Sequence, residues 1–150
     1  MIRIWLTIVV CSLILTACGR ILTPEKAIQR GDVVAEYGVV GNLFKMDEFY
    51  NGFYNGFQSG KGNKIRITRF TKEGDPIFLN LTSKQGKVLL KNDSSKDKNG
   101  SNITTYTCET LSKSREQDST LYQLLNCQRT DMDDRSNIQN IEILSVPDAP

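Results

Sequence analysis

The stretch KIRIT at residues 64–68 marks the change from helical to strand patterning in this chain. Apolar Ile65 and Ile67 alternate with polar side chains, which is the period of a strand with one buried face. A turn around Gly74 follows, and residues 77–81 then alternate in the same way. Two alternating segments joined by a glycine-containing turn predict a pair of antiparallel strands.

Strand patterning continues towards the C-terminus. Residues 85–87 are a second turn signal, and polar stretches separate the apolar runs that follow. The further strands that we predict cover residues 88–90, 103–111, 120–128 and 138–146, with residues 112–119 as the turn between the second and third. The sequence therefore predicts an antiparallel sheet of about five strands.

Helical signals lie before residue 64. Thr23 is a candidate N-cap followed by Pro24, which predicts a short helix over residues 24–30, with Gly31 just past its end. Residues 32–41 contain two valine pairs and read as weak short strands or as an extended connection.

A longer helix is predicted from the candidate N-cap Asn42 to about residue 58. Met46, Phe49, Phe53 and Phe57 recur in it at helical spacing. We therefore expect an α+β fold with one or two helices near the N-terminus, in which the aromatic helix packs on one face of the sheet.

The N-terminus has the pattern of a bacterial lipoprotein signal. Arg3 is followed by residues 4–17, which carry no charge and are too few for the roughly 20 that a membrane-spanning helix needs. Small Ala17 precedes Cys18. The pattern predicts cleavage before Cys18 and attachment of lipid to its thiol. An ordinary cleaved signal, a short membrane anchor and a buried helix are the alternatives.

This signal sets the predicted organisation of the chain. Residues 1–17 are the signal peptide, residues 18–23 the lipidated cysteine and a short tether, residues 24–146 a single α+β domain, and residues 147–150 a tail. The protein would then be held on the outer, extracytoplasmic face of the cell membrane by its lipid anchor.

Two cysteines remain once Cys11 leaves with the signal and Cys18 carries lipid. Cys108 and Cys127 are equally distant from the bond between residues 117 and 118, inside a predicted turn, so they can face each other across one hairpin. An exported protein is free to form disulfides, and we predict a cross-strand disulfide. The alternative is a redox pair, although no Cys-x-x-Cys spacing exists.

The amino-acid composition argues against several classes of function. The chain has no histidine, which removes the commonest general base, the commonest zinc ligand and every nucleophile that histidine activates. Its net charge is only +2 and no basic block stands out, so we expect no nucleic-acid partner.

Three stretches carry a family resemblance: PEKAIQRGDVV at residues 24–34, KIRIT at residues 64–68 and EGDPIF at residues 73–78. With the signal and the two late cysteines, they resemble an uncharacterised family of small lipoproteins from Gram-positive, spore-forming bacteria, domain of unknown function 4362. The resemblance would span residues 24–145 and implies a membrane-anchored exported protein of unknown activity. One departure is that YNGF at residues 50–53 is repeated at residues 54–57, which we interpret as a duplication of about one helical turn.

Two pairs of residues are candidates for a binding surface. Glu73 and Asp75 flank Gly74, where paired carboxylates suggest hydrolase chemistry but a turn is the simpler explanation. Tyr50 and Tyr54 are the members of the aromatic stripe that we expect to be exposed. The stripe itself is either core or a stacking platform for sugars or peptides.

Two acidic segments are candidates for cation-binding sites. Residues 95–100 imitate the start of a calcium loop, but Tyr106 stands where the bidentate glutamate belongs. Asp131, Asp133 and Asp134 lie beside arginines that can neutralise them. We interpret both segments as solvated loops and expect no metal and no cofactor.

We therefore expect a non-enzymatic binding or interaction module whose partner is an envelope protein or a peptide ligand. The alternatives are a carboxylate-dependent envelope hydrolase, for which Glu73 and Asp75 are the candidates, and a small inhibitor of a secreted enzyme.

Overall fold

The computed structural model of the chain describes residues 22–36, 39–55, 62–100, 102–131 and 138–148. The predicted signal peptide, Cys18 and Phe57 lie outside these residues, as do Asp133 and Asp134. Within the described segments, no helix is both long enough and apolar enough to cross a membrane.

Two helices precede most of the strands, as predicted. The elements are α1 (Pro24–Gln29), β1 (Val33–Glu36), β2 (Val39–Gly41), α2 (Leu43–Asn55), β3 (Lys64–Phe70), β4 (Pro76–Lys84), β5 (Lys87–Asp93), β6 (Ile103–Cys108), β7 (Thr110–Glu116), β8 (Ser119–Arg129) and β9 (Gln139–Pro147). Thr23 caps α1 as expected, because its hydroxyl accepts a hydrogen bond from the Lys26 amide. Asn42 directly precedes α2, at the position predicted for its cap, and its side-chain amide donates to the carbonyl oxygens of Ile28 and Asp32.

The prediction of about five antiparallel strands is wrong. Among the described residues, nine strands form one mixed sheet in the order β2-β1-β3-β4-β5-β6-β8-β7, and β9 also pairs with β8. β1 runs parallel to β3, with Val33 opposite Ile67. The parallel pair arises because β2 and α2 form the crossover between these two strands, and a crossover brings the chain back in its original direction.

The predicted strand over residues 103–111 is two strands, and most of the predicted turn over residues 112–119 is strand β7. The break comes at Glu109, opposite the positive-φ residue Asn126. Serine and charged side chains dominate β7, so it lacks the alternation by which the other strands were recognised.

The cross-strand disulfide is confirmed. Cys108 and Cys127 are bonded, and both are fully buried. The β6–β8 and β7–β8 pairings continue the same register on either side of the bond, with Thr107 opposite Gln128 and Thr110 opposite Leu125. The turn lies at residues 117–118, where the symmetry of the two cysteines placed it.

The aromatic helix packs on one face of the sheet, as predicted. Met46, Phe49 and Phe53 of α2 are buried in the hydrophobic core, together with inward side chains of the strands. The other face is covered beside β1 by α1, whose Ala27 is buried. Apolar burial of this kind is the main stabilising contribution in a domain of this size.

The sheet curls so that its distant strands approach each other. β2 contacts β9, and the guanidinium of Arg69 in β3 donates to the carbonyl oxygen of Glu142 in β9 over 2.9 Å. The core is therefore enclosed by the sheet on several sides and by α2.

Candidate functional site

A polar groove lies between α2 and the beginning of β3. Its volume is about 390 Å³, which is within the range of small-ligand sites. Its lining consists of Gly31, Lys45, Glu48, Phe49, Asn63, Lys64, Ile65 and Arg66.

The groove exists because β1 covers only part of β3. Pairing between these strands involves Val33–Ala35 and Ile67–Arg69. Just before β1 the chain turns away at Gly31, whose φ is +92°. Residues 64–66 therefore have no strand beside them on the β1 side among the described residues, although β4 pairs with them on the other side.

Lys45 is held at the groove by Gly31. Its ammonium donates to the Gly31 carbonyl oxygen over 3.0 Å. A side chain at residue 31 would place a Cβ 2.6 Å from the Lys45 Nζ, so glycine also leaves the space in which the ammonium lies. An ammonium has three N–H donors, and two of them have no partner among the described residues.

Arg66 is also fixed in position. Its Nε donates to the Asn80 Oδ1 over 2.8 Å, and its guanidinium lies 5.8 Å from the centre of the Phe78 ring. These contacts leave further N–H groups of the guanidinium for other acceptors.

The charges of the groove are unequal. Among the described residues of the lining, Lys45, Lys64 and Arg66 are cations and Glu48 is the one carboxylate. No ion pair neutralises these cations within the segments that the structure describes. Three cations around one concave surface favour an anionic ligand, because charge complementarity raises both selectivity and association rate.

Tyr50 and Tyr54, predicted as exposed surface residues, lie together on another side of α2. Their ring centres are 5.0 Å apart. Tyr54 is 49% exposed, but its hydroxyl donates to the Leu111 carbonyl oxygen of β7. Tyr50 is half-buried and meets the Tyr122 ring edge-on. Both tyrosines therefore fasten α2 to the β7–β8 hairpin, and neither lines the groove.

An ion pair completes this tyrosine cluster. The Asp47 carboxylate accepts hydrogen bonds from the Lys113 ammonium over 2.7 Å and from the Tyr122 hydroxyl over 2.6 Å. These two hydrogen bonds, the one from Lys113 first, lower the pKa of Asp47. The hydrogen bond to Asp47 raises the pKa of Lys113 in turn. The Lys113 ammonium and the Asp47 carboxylate neutralise each other, so this ion pair stabilises the fold.

Glu73 and Asp75 lie on the β3–β4 turn. Gly74 has a φ of +83°, which explains the glycine between the two carboxylates. The Asp75 carboxylate accepts a hydrogen bond from the Lys98 backbone amide over 3.2 Å and so joins this turn to the β5–β6 loop. Neither carboxylate lines the groove, and Glu73 is exposed.

No group of three or more metal-ligating side chains occurs in the part of the chain that the structure describes. Residues 94–100 form consecutive turns, with the Gly100 amide donating to the Asp97 carbonyl oxygen. Asp131 is bound by the guanidinium of Arg129. Asp133 and Asp134 lie outside the described residues.

Sequence reasoning missed the groove. The alternation within residues 64–68 predicts only a strand, and nothing in the sequence singles out Lys45 or Glu48. The signal available was Gly31, since the glycine that ends α1 comes just before β1 and so marks where that strand begins. The point along β3 at which β1 begins cannot be read from the sequence alone.

Comparison with known proteins identifies a family. The family model described as "Domain of unknown function (DUF4362)" matches residues 30–123, which is more than half of the chain. The match includes every residue that lines the groove. No curated protein and no solved structure matches the chain. The lipoprotein character and the Gram-positive origin suggested by the resemblance stay predictions.

Proposed function

The chain belongs to this family of unknown function, and we propose that it is a non-enzymatic binding protein, lipid-anchored outside the cytoplasm, whose groove takes an anionic ligand. The observation that carries the proposal is the arrangement of Lys45, Lys64 and Arg66 around a groove with one carboxylate. Lys45 and Arg66 are already held by hydrogen bonds, so they lose little freedom when a ligand binds, which favours affinity.

Two features support the location. Residues 1–18 have the charge, length and final cysteine of a lipoprotein signal. The bond between Cys108 and Cys127 is of a kind that persists in oxidising compartments and is rare in the cytosol.

The chemistry of the groove favours binding over hydrolysis. A carboxylate-dependent glycoside hydrolase uses a pair of acidic residues on opposite sides of the bond that it cleaves. Within the part of the chain that the structure describes, the lining offers Glu48 no second carboxylate. The chain also has no histidine to act as a general base.

Titration calorimetry on the full-length chain in detergent micelles tests the proposal. The probes are inorganic phosphate, succinate and a short peptide with two glutamates. We expect at least one of them to bind and Lys45→Gln to weaken that binding about tenfold, the usual effect of losing one charge-assisted hydrogen bond.

Lys96→Gln is the matched control, because Lys96 is exposed on the β5–β6 loop and does not line the groove. It should leave the affinity unchanged. If every probe binds equally well to the Lys45→Gln and Lys96→Gln proteins, or if none binds, the groove is not an anion site and the proposal is wrong.

A further inference from the structure

We infer that the ligand of the groove is a short extended peptide with acidic side chains two residues apart, which adds as a strand to residues 64–66 of β3. This inference rests on the proposed function, since it takes the groove as the binding site. It goes further by naming the class of ligand and the way in which it is held.

The backbone of β3 is the first argument. Residues 64–66 pair with β4 on one side and have no strand on the other within the described part of the chain. Because a strand directs its N–H and C=O groups alternately to its two sides, some of these groups face the groove. An extended peptide satisfies such groups by strand addition, which a free anion cannot do.

The direction of the cationic side chains is the second argument. Lys64 and Arg66 are two residues apart in one strand, so they project from the same face of the sheet. A peptide strand alternates its side chains with the same period. Acidic residues at its first and third positions would therefore both lie on that face, where opposite charges on neighbouring strands attract.

The size and floor of the groove are the third argument. Three residues of strand extend over about 10 Å, so the free edge accommodates about three residues of peptide. Ile65, above the buried Phe49, contributes apolar surface to the lining, which suits an apolar residue between the two acidic ones. Lys45 faces the same space from α2 and adds a third cation.

The test uses the full-length chain in detergent micelles and the peptide acetyl-Thr-Glu-Val-Glu-Thr-amide, measured by titration calorimetry. A peptide with the same composition but adjacent glutamates, acetyl-Thr-Glu-Glu-Val-Thr-amide, should bind several-fold more weakly. Equal affinity for the two peptides overturns the inferred spacing.

Backbone methylation tests strand addition itself. One peptide is N-methylated at valine and another at both glutamates. Because alternate amides of a strand face the same side, one of these peptides should lose binding at least tenfold while the other keeps it. If the two methylated peptides bind equally, the peptide backbone does not form strand hydrogen bonds with β3, and the inference fails.

A charge exchange completes the test. Lys64→Glu should weaken binding of the glutamate peptide and strengthen binding of its lysine counterpart, acetyl-Thr-Lys-Val-Lys-Thr-amide. Lys64 is exposed, so the variant should fold normally. If Lys64→Glu leaves both affinities unchanged, the peptide does not lie along this edge.

Failure of the inference differs from failure of the proposed function. If phosphate or succinate binds with dependence on Lys45 while the glutamate peptide does not, the peptide inference is overturned and the anion site stands. If no probe shows dependence on Lys45, both are wrong.

Discussion

Asp47 illustrates how a single surface carboxylate supports the attachment of α2. Its pKa is lowered by the hydrogen bonds from Lys113 and Tyr122. The folded-state value therefore lies below the unfolded value of about 3.9. The ionised group stabilises the fold above that unfolded value, and this contribution is lost as pH falls through the folded-state pKa.

Asp47→Asn should therefore lower the free energy of unfolding at pH 7, and the difference should be smaller at pH 3, below the unfolded value. The carboxylate is 40% exposed, so solvent screening limits the effect at pH 7 to about 0.2–1 kcal/mol. Urea unfolding of both proteins at the two pH values measures it. Glu116→Gln, an exposed carboxylate at the end of β7, is the control. A difference that stays the same at pH 3 would mean that the charge of Asp47 is not the cause.

The buried carboxylate of Asp32 is stabilised by a buried hydroxyl. Asp32 is 4% exposed, and its Oδ2 accepts a hydrogen bond from the fully buried Thr68 over 2.7 Å. Arg30 binds the same carboxylate. Thr68→Val keeps the shape of the side chain and removes the donor. We expect it to lower the free energy of unfolding by about 1–3 kcal/mol, because a buried charged acceptor loses a partner.

The matched control for this change is Thr82→Val in β4, where the threonine is only half-buried. Its effect should stay within about 0.5 kcal/mol, as is usual for surface positions. Equal losses of stability from the two substitutions in urea unfolding would contradict the importance of the Thr68–Asp32 hydrogen bond.

Residues whose role is local could be predicted from the sequence. Thr23 as a cap and Gly74 as a turn glycine depend only on their immediate neighbours, and both are confirmed. The reason for Gly52 could not be predicted in this way. A glycine inside a helix costs about 1 kcal/mol relative to alanine. Glycine is needed here because of a residue that is distant in the sequence, since a Cβ at residue 52 would lie 2.1 Å from the side-chain amide nitrogen of Asn63.

Among the elements, hairpins were predicted best, because a turn and two alternating runs are contiguous in the sequence. β4 and β5 join at Gln85–Gly86, which have positive φ as a tight turn requires. The parallel pairing of β1 with β3 was missed, because a short apolar run in the sequence does not indicate which distant strand it pairs with. The groove was missed for the same reason, because it depends on where that pairing begins.

The disulfide stabilises the β6–β8 region by restricting the unfolded chain. Its cysteines are separated by 19 positions, and a loop of that length contributes about 3 kcal/mol in the chain-entropy description. The double variant Cys108→Ala, Cys127→Ala should therefore lose about 3 kcal/mol in urea unfolding without reductant.

Reductant supplies the control for this prediction. It should bring the unmodified protein close to the double variant and leave the variant unchanged. If the variant unfolds at the same urea concentration as the oxidised protein, the bond does not limit the unfolded chain as described.

At the scale of the whole molecule, the predicted anchor determines where the groove operates. If Cys18 is the first mature residue, five residues separate it from α1, which begins at Pro24 after its cap Thr23. A chain of that length extends at most about 18 Å. The folded domain would then stay close to the membrane, and ligands attached to the envelope would reach the groove at high effective concentration.

Substitution of Cys18 tests this arrangement. Stable attachment takes more than one acyl chain, which a diacylglyceryl cysteine provides. Cys18→Ser should therefore abolish incorporation of labelled fatty acid and move the protein out of the membrane fraction of a bacterial host. Cys11→Ser, which changes a cysteine inside the predicted signal, should keep both the label and the membrane location. If Cys18→Ser fractionates with the membrane like the unaltered protein, the anchor is not a lipid on this residue, and the short tether does not hold the groove at the membrane.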